Sequence, residues 1–284
     1  MTNQKHKSNQ IKLDKMNANS IVTLTLGDQA ENHAGMEKLG ELAEEGDGFN
    51  LEDLQKAKLK LEEIGIACEI ISLELYQNLG DTDVSISPPQ EAYVLIIRDG
   101  VHKILQNCSD FTQQNMFNEH INLDVDKQAW MRGRVVNKHA RWNLCFDTES
   151  RAPNYENKKG RIIGYNEIPV TKMLLSQISS YFGPKAENLK GEGNYYYDKS
   201  KCGIGFHGDS ERRKVIGIRL GNGESTPLHY QWFRESEAVG ERIIIPLNGG
   251  DMYVMSEKAV GTDWKKKKIY TLRHATGCDN FTKI

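Results

Sequence analysis

The stretch GNYYYDKSKCGIGFHGDSERRKVIGIRLG, residues 193 to 221, decides how the chain is read. It contains three β-like runs, NYYY, GIGFH and KVIGIRL, separated by polar, turn-forming segments. Short runs rich in β-branched and aromatic residues between turn signals mark antiparallel strands. Within the stretch, His207-Gly208-Asp209 places an imidazole and a carboxylate two residues apart. On extended backbone such residues point to the same side, so both can face one ion. An H-x-D pair alone is common, and its meaning comes from its surroundings.

The same texture runs outward from about Trp130 to the C-terminus. The runs RVVNKHARWNLCF, RIIGY, LHYQWF, RIIIPL, MYVMS and IYTLRHA are spaced by gaps that include Gly221, Gly223, Gly249 and Gly250. One helix is expected over Val170 to Tyr181. Many short strands at near-regular spacing predict a β-sandwich or jelly roll, here over residues 126–284. Upstream, residues 20–125 read as a mixed α/β region. Strands are expected at Ser20–Leu26, Ile66–Leu73 and Ala92–Arg98. Helical spacing runs over Ala30–Leu42 and Leu51–Ile64, the second with Asn50 as N-cap. Asp99-Gly100 reads as a hairpin turn into Val101–Leu105, and Asn78–Pro89 as a loop. Residues 1–19 are polar and read as a disordered tail. The expected class is α+β: a double-stranded β-helix (jelly-roll) core preceded by an α/β region.

Of the 284 residues, 38% are hydrophobic and 27% charged, with a formal net charge of −2. That composition fits a globular chain and excludes a polycation, so any contact with nucleic acid must be local. No apolar run approaches the ~20 residues of a membrane-spanning helix, and the N-terminus lacks the apolar core of a signal peptide. Cys68, Cys108, Cys145, Cys202 and Cys278 are scattered, with no C-x-x-C pair. This pattern predicts free thiols and an intracellular location, and argues against a disulfide framework or a zinc knuckle.

A third donor completes the His-Asp pair. His274 lies in the last strand-like run, 65 residues beyond Asp209, whereas His229 follows Asp209 by only 20. The longer gap leaves room for intervening strands to return to the same place; the shorter one does not. Two histidines and one carboxylate on one face leave three coordination positions open, the facial arrangement of non-haem iron(II) oxygenases.

With its flanks, this segment resembles the iron-binding stretch of the 2-oxoglutarate/Fe(II) dioxygenases, closest to the AlkB-like branch. Those proteins carry an Asn/Tyr-rich strand about ten residues ahead of an H-x-D-x-E. Here that reads Asn194-Tyr195-Tyr196-Tyr197, then His207-Gly208-Asp209-Ser210-Glu211. The segment PLNGGDMYVMSEKAVGTDW, residues 246 to 264, resembles the turn and strand that precede the distal histidine. The likeness covers residues 190 to 284. It implies Fe(II) held by His207, Asp209 and His274, with 2-oxoglutarate and O2 as co-substrates. The reaction implied is decarboxylation of 2-oxoglutarate coupled to hydroxylation or oxidative demethylation.

One feature departs from the AlkB-like pattern. No R-x-N-x-T-x-R strand follows the distal histidine, since only ten residues remain after His274. Prolyl-hydroxylase-like branches instead use a basic residue nine or ten positions past that histidine to hold the tail of 2-oxoglutarate. Lys283 fits that offset, with Arg273 and Arg219 as the other basic candidates. Tyr197, then Tyr195 on the same strand face, are the expected hydroxyl donors to that carboxylate, with Asn194 beside them.

Residues 131–161 carry eight basic against three acidic side chains, interleaved with His139, Trp142, Phe146 and Tyr155. In AlkB-like enzymes the elements ahead of the iron strand form a lid over the nucleotide. Arg132, Arg134, Lys138, His139, Arg141 and Trp142 are therefore the expected substrate face, and a single-stranded or flipped-out nucleic-acid base is the expected substrate. Lys265–Lys268 is a further candidate for phosphate contact. The alternatives are hydroxylation of a protein side chain or small molecule, and a cupin-like module that binds metal without catalysis.

Overall fold

A computed structural model describes residues 19–75, 88–223 and 225–284. The strands, in chain order, are β1 (Ile21–Gly27), β2 (Gln29–Glu31), β3 (Lys38–Gly40), β4 (Cys68–Ser72), β5 (Tyr93–Ile97), β6 (Gln128–Met131), β7 (Arg134–Asn137) and β8 (Trp142–Asp147). They continue with β9 (Ile162–Gly164), β10 (Lys190–Tyr196), β11 (Gly203–His207), β12 (Val215–Gly221), β13 (Leu228–Arg234), β14 (Glu237–Ile245), β15 (Met252–Met255) and β16 (Thr271–Gly277). The α-helices are α1 (Leu51–Glu63), α2 (Gly100–Cys108), α3 (Gln113–Ile121), α4 (Pro169–Phe182), α5 (Glu257–Val260) and α6 (Asp279–Thr282).

The fold is α+β and dominated by sheet. Eight strands form one mixed sheet in the order β4-β5-β15-β12-β1-β10-β8-β9, in which only β8–β9 is parallel. A second, antiparallel sheet runs β11-β16-β13-β14. Strand β1, IVTLTLG, is buried along its whole length because β10 and β12 flank it and both its faces are covered. On one face, Leu24, Leu95, Ile97, Ile216, Ile218 and Leu220 pack against Leu54, Leu61, Ile104, Phe117 and Leu174 of the helices. On the other, Val94, Ile96, Val215, Tyr253 and Met255 pack against Tyr230, Trp232, Ile245 and Leu272 of the small sheet. The layers are therefore helices, large sheet, small sheet. Strands from the first third of the chain sit in the same sheet as strands from the rest.

Helix α1 starts as its sequence dictates. Asn50 caps it, accepting from Asp53 N at 3.0 Å while Asp53 Oδ2 accepts from Asn50 N at 2.9 Å. This reciprocal box satisfies two backbone donors that a helix start leaves unpaired. Leu54, Ala57 and Leu61, spaced three and four apart, form its buried stripe.

Two expectations fail. The helical spacing over Ala30–Leu42 gives no helix; β2 and β3 pair there as a short hairpin. Gly35 and Gly40 take positive φ, and a Cβ at Gly40 would lie 2.3 Å from the Asp28 carbonyl oxygen. Long-range bonds then hold the segment: Asp28 accepts from Ala43 N and from the backbone of Arg213 and Lys214. Asp99-Gly100 is likewise not a hairpin turn. Asp99 takes left-handed backbone (φ 51°) and the chain enters α2. Buried Val101, Ile104 and Leu105 have the spacing of a helical stripe. The expected tail lies outside the described residues except for residue 19, and the expected loop except for residues 88 and 89. Among the described residues no helix is long and apolar enough to cross a membrane.

Candidate metal centre

Strands β11 and β16 pair so that His207 stands opposite His274. A register irregularity between Ile204 and His207 ends the regular pairing there. Asp209 follows directly, fixed by its backbone N donating to Val260 O at 3.0 Å. The residue between the two donors has to be glycine, because a Cβ on Gly208 would sit 2.0 Å from the Gly261 carbonyl oxygen. The close approach of two backbones places both ends of the H-G-D segment.

The three side chains converge. His207 Nε2 and His274 Nε2 lie 3.4 and 3.7 Å from the same Asp209 oxygen. One ligand atom from each residue lies within 4.8 Å of the others. The His207 Nδ1–H donates to the Gly205 carbonyl at 2.8 Å, which leaves the Nε2 lone pair directed at the cluster. A second hydrogen bond that fixes the ring and its tautomer is what a metal-ligating histidine needs. Burial, with His207 alongside, pushes the His274 imidazole down to about 4, so it is a neutral donor near pH 7. Burial works to raise the Asp209 carboxyl, but the Arg212 guanidinium and the two histidines prevail and hold it well below the ordinary carboxylate range. Two imidazoles and one carboxylate suit an octahedral divalent cation of the first transition row.

Arg212, which sequence reading missed, supports the centre. It is buried, and its Nη2 donates to Glu192 at 2.6 Å and to Glu211 at 3.0 Å, with Nε 3.8 Å from Asp209. Asn194 Nδ2 in turn donates to Glu192 at 3.0 Å, and Asn194 Oδ1 accepts from Arg141 Nε and Asn143 Nδ2. A chain of buried polar contacts thus runs from the carboxylate through β10 to β8. A signal existed in the sequence, since Glu192 and Asn194 share a strand face.

A cleft of about 780 Å³ contains the cluster; Thr23, Tyr196, Tyr253 and Thr276 line it within, and His33, Arg141, Phe206, Trp264 and Lys265 also border it. A cavity of about 810 Å³ elsewhere, bordered by Phe49, Arg213 and Tyr270, contains none of these three residues.

Of the residues expected to hold 2-oxoglutarate, Asn194 lines the cleft, and the other three do not. Strand alternation sends Tyr195 to the helical layer, where its hydroxyl meets His120 Nδ1 at 3.0 Å. Its neighbour Tyr196 faces the cleft instead. Tyr197 stacks on Trp142 at 4.4 Å and donates its hydroxyl to the His139 carbonyl. Lys283 is exposed just past α6, outside the cleft lining. Arg273 points away from the centre, against Phe233 and Trp264. His229 pairs with Ala275 and not with His274, so it faces away from the metal ligands.

The expected substrate face divides. Arg141 lines the cleft, while Arg132 and Arg134 are exposed on the β6–β7 hairpin and His139 is exposed beside Trp142. Lys138 is buried and structural: its Nζ donates to Asn32 Oδ1 at 2.7 Å and to Asn143 Oδ1 at 2.9 Å. Burial pushes its ammonium down to about 8. Arg151 pairs with Glu37 and Arg161 with Asp124, which neutralises part of the local charge excess.

No protein-family model matches the chain. It is 48% identical over 262 residues to "Uncharacterized protein R156" of Acanthamoeba polyphaga mimivirus, covering 92% of this chain and 97% of that one. The chain belongs to the same family as that viral protein.

Proposed function

We propose that the chain is a non-haem Fe(II) oxygenase built on a double-stranded β-helix, using 2-oxoglutarate and O2 to oxidise a substrate. The observation that carries this reading is the convergence of His207, Asp209 and His274 at one cleft between the two sheets. Iron(II) there would supply the oxidising chemistry, coupling decarboxylation of 2-oxoglutarate to oxidation of the substrate. The side chains do the rest. His207 presents Nε2 because Gly205 takes its Nδ1–H. Arg212, held in place by Glu192, keeps Asp209 anionic. Tyr253, seated over Gly217 where a Cβ would meet its ring at 2.0 Å, walls the inner cleft against water.

For the substrate, a nucleobase delivered from a single strand or flipped out of a duplex is favoured. Phe206 and Trp264 supply aromatic surface at the cleft, and Arg242, Lys265 and Arg273 beside their rings supply positive charge for phosphate. Charge at Arg141 adds to it. A protein side chain or small molecule is the alternative substrate, and metal binding without catalysis the alternative function. The discriminating experiment measures succinate release from 2-oxoglutarate with Fe(II) and O2, with and without oligonucleotides. Succinate formation lost in His207→Ala, Asp209→Ala and His274→Ala is the expected outcome. Metal binding with no turnover under any substrate would favour the non-catalytic module.

A further inference from the structure

The small sheet has a second face, turned away from the large sheet and from the metal ligands. Alternation decides which side chains it carries. Leu272, His274 and Thr276 of β16 point to the core or the cleft, so Arg273 points outward. Trp232 of β13 packs between the sheets, so Phe233 points outward as well. Six side chains form one row there. Arg242 lies 5.3 Å from the Phe206 ring centroid, and Phe206 5.9 Å from that of Phe233. Arg273 lies 4.1 Å from the Phe233 ring and 5.3 Å from the Trp264 ring, and Lys265 5.5 Å from Trp264. Cations and rings thus follow one another without a gap from β14 to the segment ahead of β16.

Rings hold these cations, but no acid neutralises them. Among the described residues no carboxylate lies within ion-pair distance of Arg242, Arg273 or Lys265. Asp263, next to Trp264 in the chain, is taken by Lys258 at 2.8 Å. Burial lowers the Arg273 guanidinium from its ordinary value, and no acidic group opposes the shift. Arg273 Nε and Trp264 Nε1 are buried donors without a hydrogen-bond partner. Lys265 Nζ has a long contact, 3.4 Å, to Ser210 Oγ. A buried donor left unpaired is costly, and an acceptor arriving from outside removes that cost. In a chain of net charge −2, three uncompensated cations in one row make a local positive field.

The row selects its partner by shape as well as by charge. Its anions must repeat, because the cations are spread along the row. They must also be separated by flat groups, because rings lie between the cations. Single-stranded nucleic acid has both, with repeating phosphates and unpaired bases that stack on aromatic side chains. A duplex keeps its base faces covered, and an acidic peptide offers the rings nothing to stack on. Phe206, Trp264 and Lys265 also border the cleft, whereas Arg242 and Arg273 lie beyond its lining.

We propose that this outer face is a track for single-stranded nucleic acid, with Arg242 and Arg273 holding phosphates and Phe206 and Trp264 stacking bases, and that it carries the strand past the mouth of the cleft. The inference rests on the nucleobase reading of the substrate. It moves the main contact surface from the β6–β7 hairpin to the small sheet.

The test is a fluorescence-anisotropy titration of a labelled single strand with metal-free protein over a series of salt concentrations. Arg242→Gln combined with Arg273→Gln should lower the salt slope by about 1.4, from two phosphate contacts at about 0.7 each. Arg132→Gln combined with Arg134→Gln should lower it less. Arg273→Lys, which keeps the charge, should keep the slope. Trp264→Ala should weaken binding roughly 5- to 150-fold at an unchanged slope, the mark of lost stacking. An unchanged slope in the Arg242 and Arg273 double variant, or a larger drop in the hairpin variant, overturns the proposal and leaves the nucleobase reading intact. Displacement of the strand by polyglutamate as readily as by unlabelled strand overturns it in the same way. Should the parent bind no single strand at low salt, the nucleobase reading falls along with it.

Discussion

Arg212 and Arg219 are buried arginines on opposite sides of the short segment that leads into β12, yet their surroundings differ completely. Arg212 stands among Glu192, Glu211 and Asp209, and its charge is the counterweight that keeps Asp209 ionised. Among the described residues, the Arg219 side chain hydrogen-bonds to two threonine hydroxyls and to no carboxylate. The first belongs to the permanent architecture. The second is a buried charge without a counter-charge, a cost to the fold. Burial alone therefore does not show what a charged residue is for; its partners do.

Removing each cation should break this comparison most sharply. Arg212→Met leaves three acidic groups without their cation, and a loss of about 3–5 kcal/mol in unfolding free energy is expected. Arg219→Met removes an unpaired charge, so stability without ligand should hold or rise by about 1–4 kcal/mol. Urea denaturation of both variants, metal-free, decides it. Equal losses in the two would mean that Arg219 is a structural cation like Arg212.

The next effect concerns Lys138, a third buried cation, which has neutral amide partners. Its folded-state value is depressed to about 8 by burial, against an ordinary 10.5. The unfolded chain therefore binds the extra proton between those values, and the penalty present below about pH 8 is relieved as pH rises toward 10.5. Half-buried Tyr155, raised by burial and by its hydrogen bond to Asp126, pulls the other way, so the reading is the difference between parent and Lys138→Met. From about pH 8 to about pH 10 that difference should shift toward the parent by about 1–3 kcal/mol. A flat difference would mean that Lys138 keeps its charge through the window.

The smallest effects are expected at the exposed arginines. Arg132→Ala and Arg134→Ala should change stability by less than about 0.5 kcal/mol. If the nucleic-acid reading holds, Arg141→Ala at the cleft should lower the salt slope of oligonucleotide binding by about one unit. Arg132→Ala should lower it less. A larger effect at the hairpin than at the cleft would move the substrate face away from the metal ligands.

The convergence of His207, Asp209 and His274 is legible because its signal is local at one end and positional at the other. H-G-D fixes two donors by strand alternation, and His274 stands out by its distance along the chain. The need for Gly208 to be glycine became visible only with Gly261 in place, a contact between segments more than fifty residues apart. Tyr195 is expected at the carboxylate because it shares a strand face with Tyr197, and that same alternation puts it on the face opposite Asn194, away from the cleft. The region over Ala30–Leu42 follows the long-range bonds that Asp28, just ahead of it, accepts from Arg213 and Lys214, against its own spacing. Lys283 is expected only from its offset past His274, and offset carries no information about which side chains line the cleft. An unpaired buried arginine has no sequence signature, because its meaning is the absence of a partner in space.

The central claim is that His207, Asp209 and His274 bind one redox-active divalent metal. The most direct measurement is anaerobic Fe(II) binding to the purified chain and to Asp209→Ala and His274→Ala, by equilibrium dialysis with iron quantification. One iron per parent chain, with binding lost in each variant while the fold persists by circular dichroism, is the expected result. No iron bound by the parent, or one iron per chain retained in both variants, would contradict it.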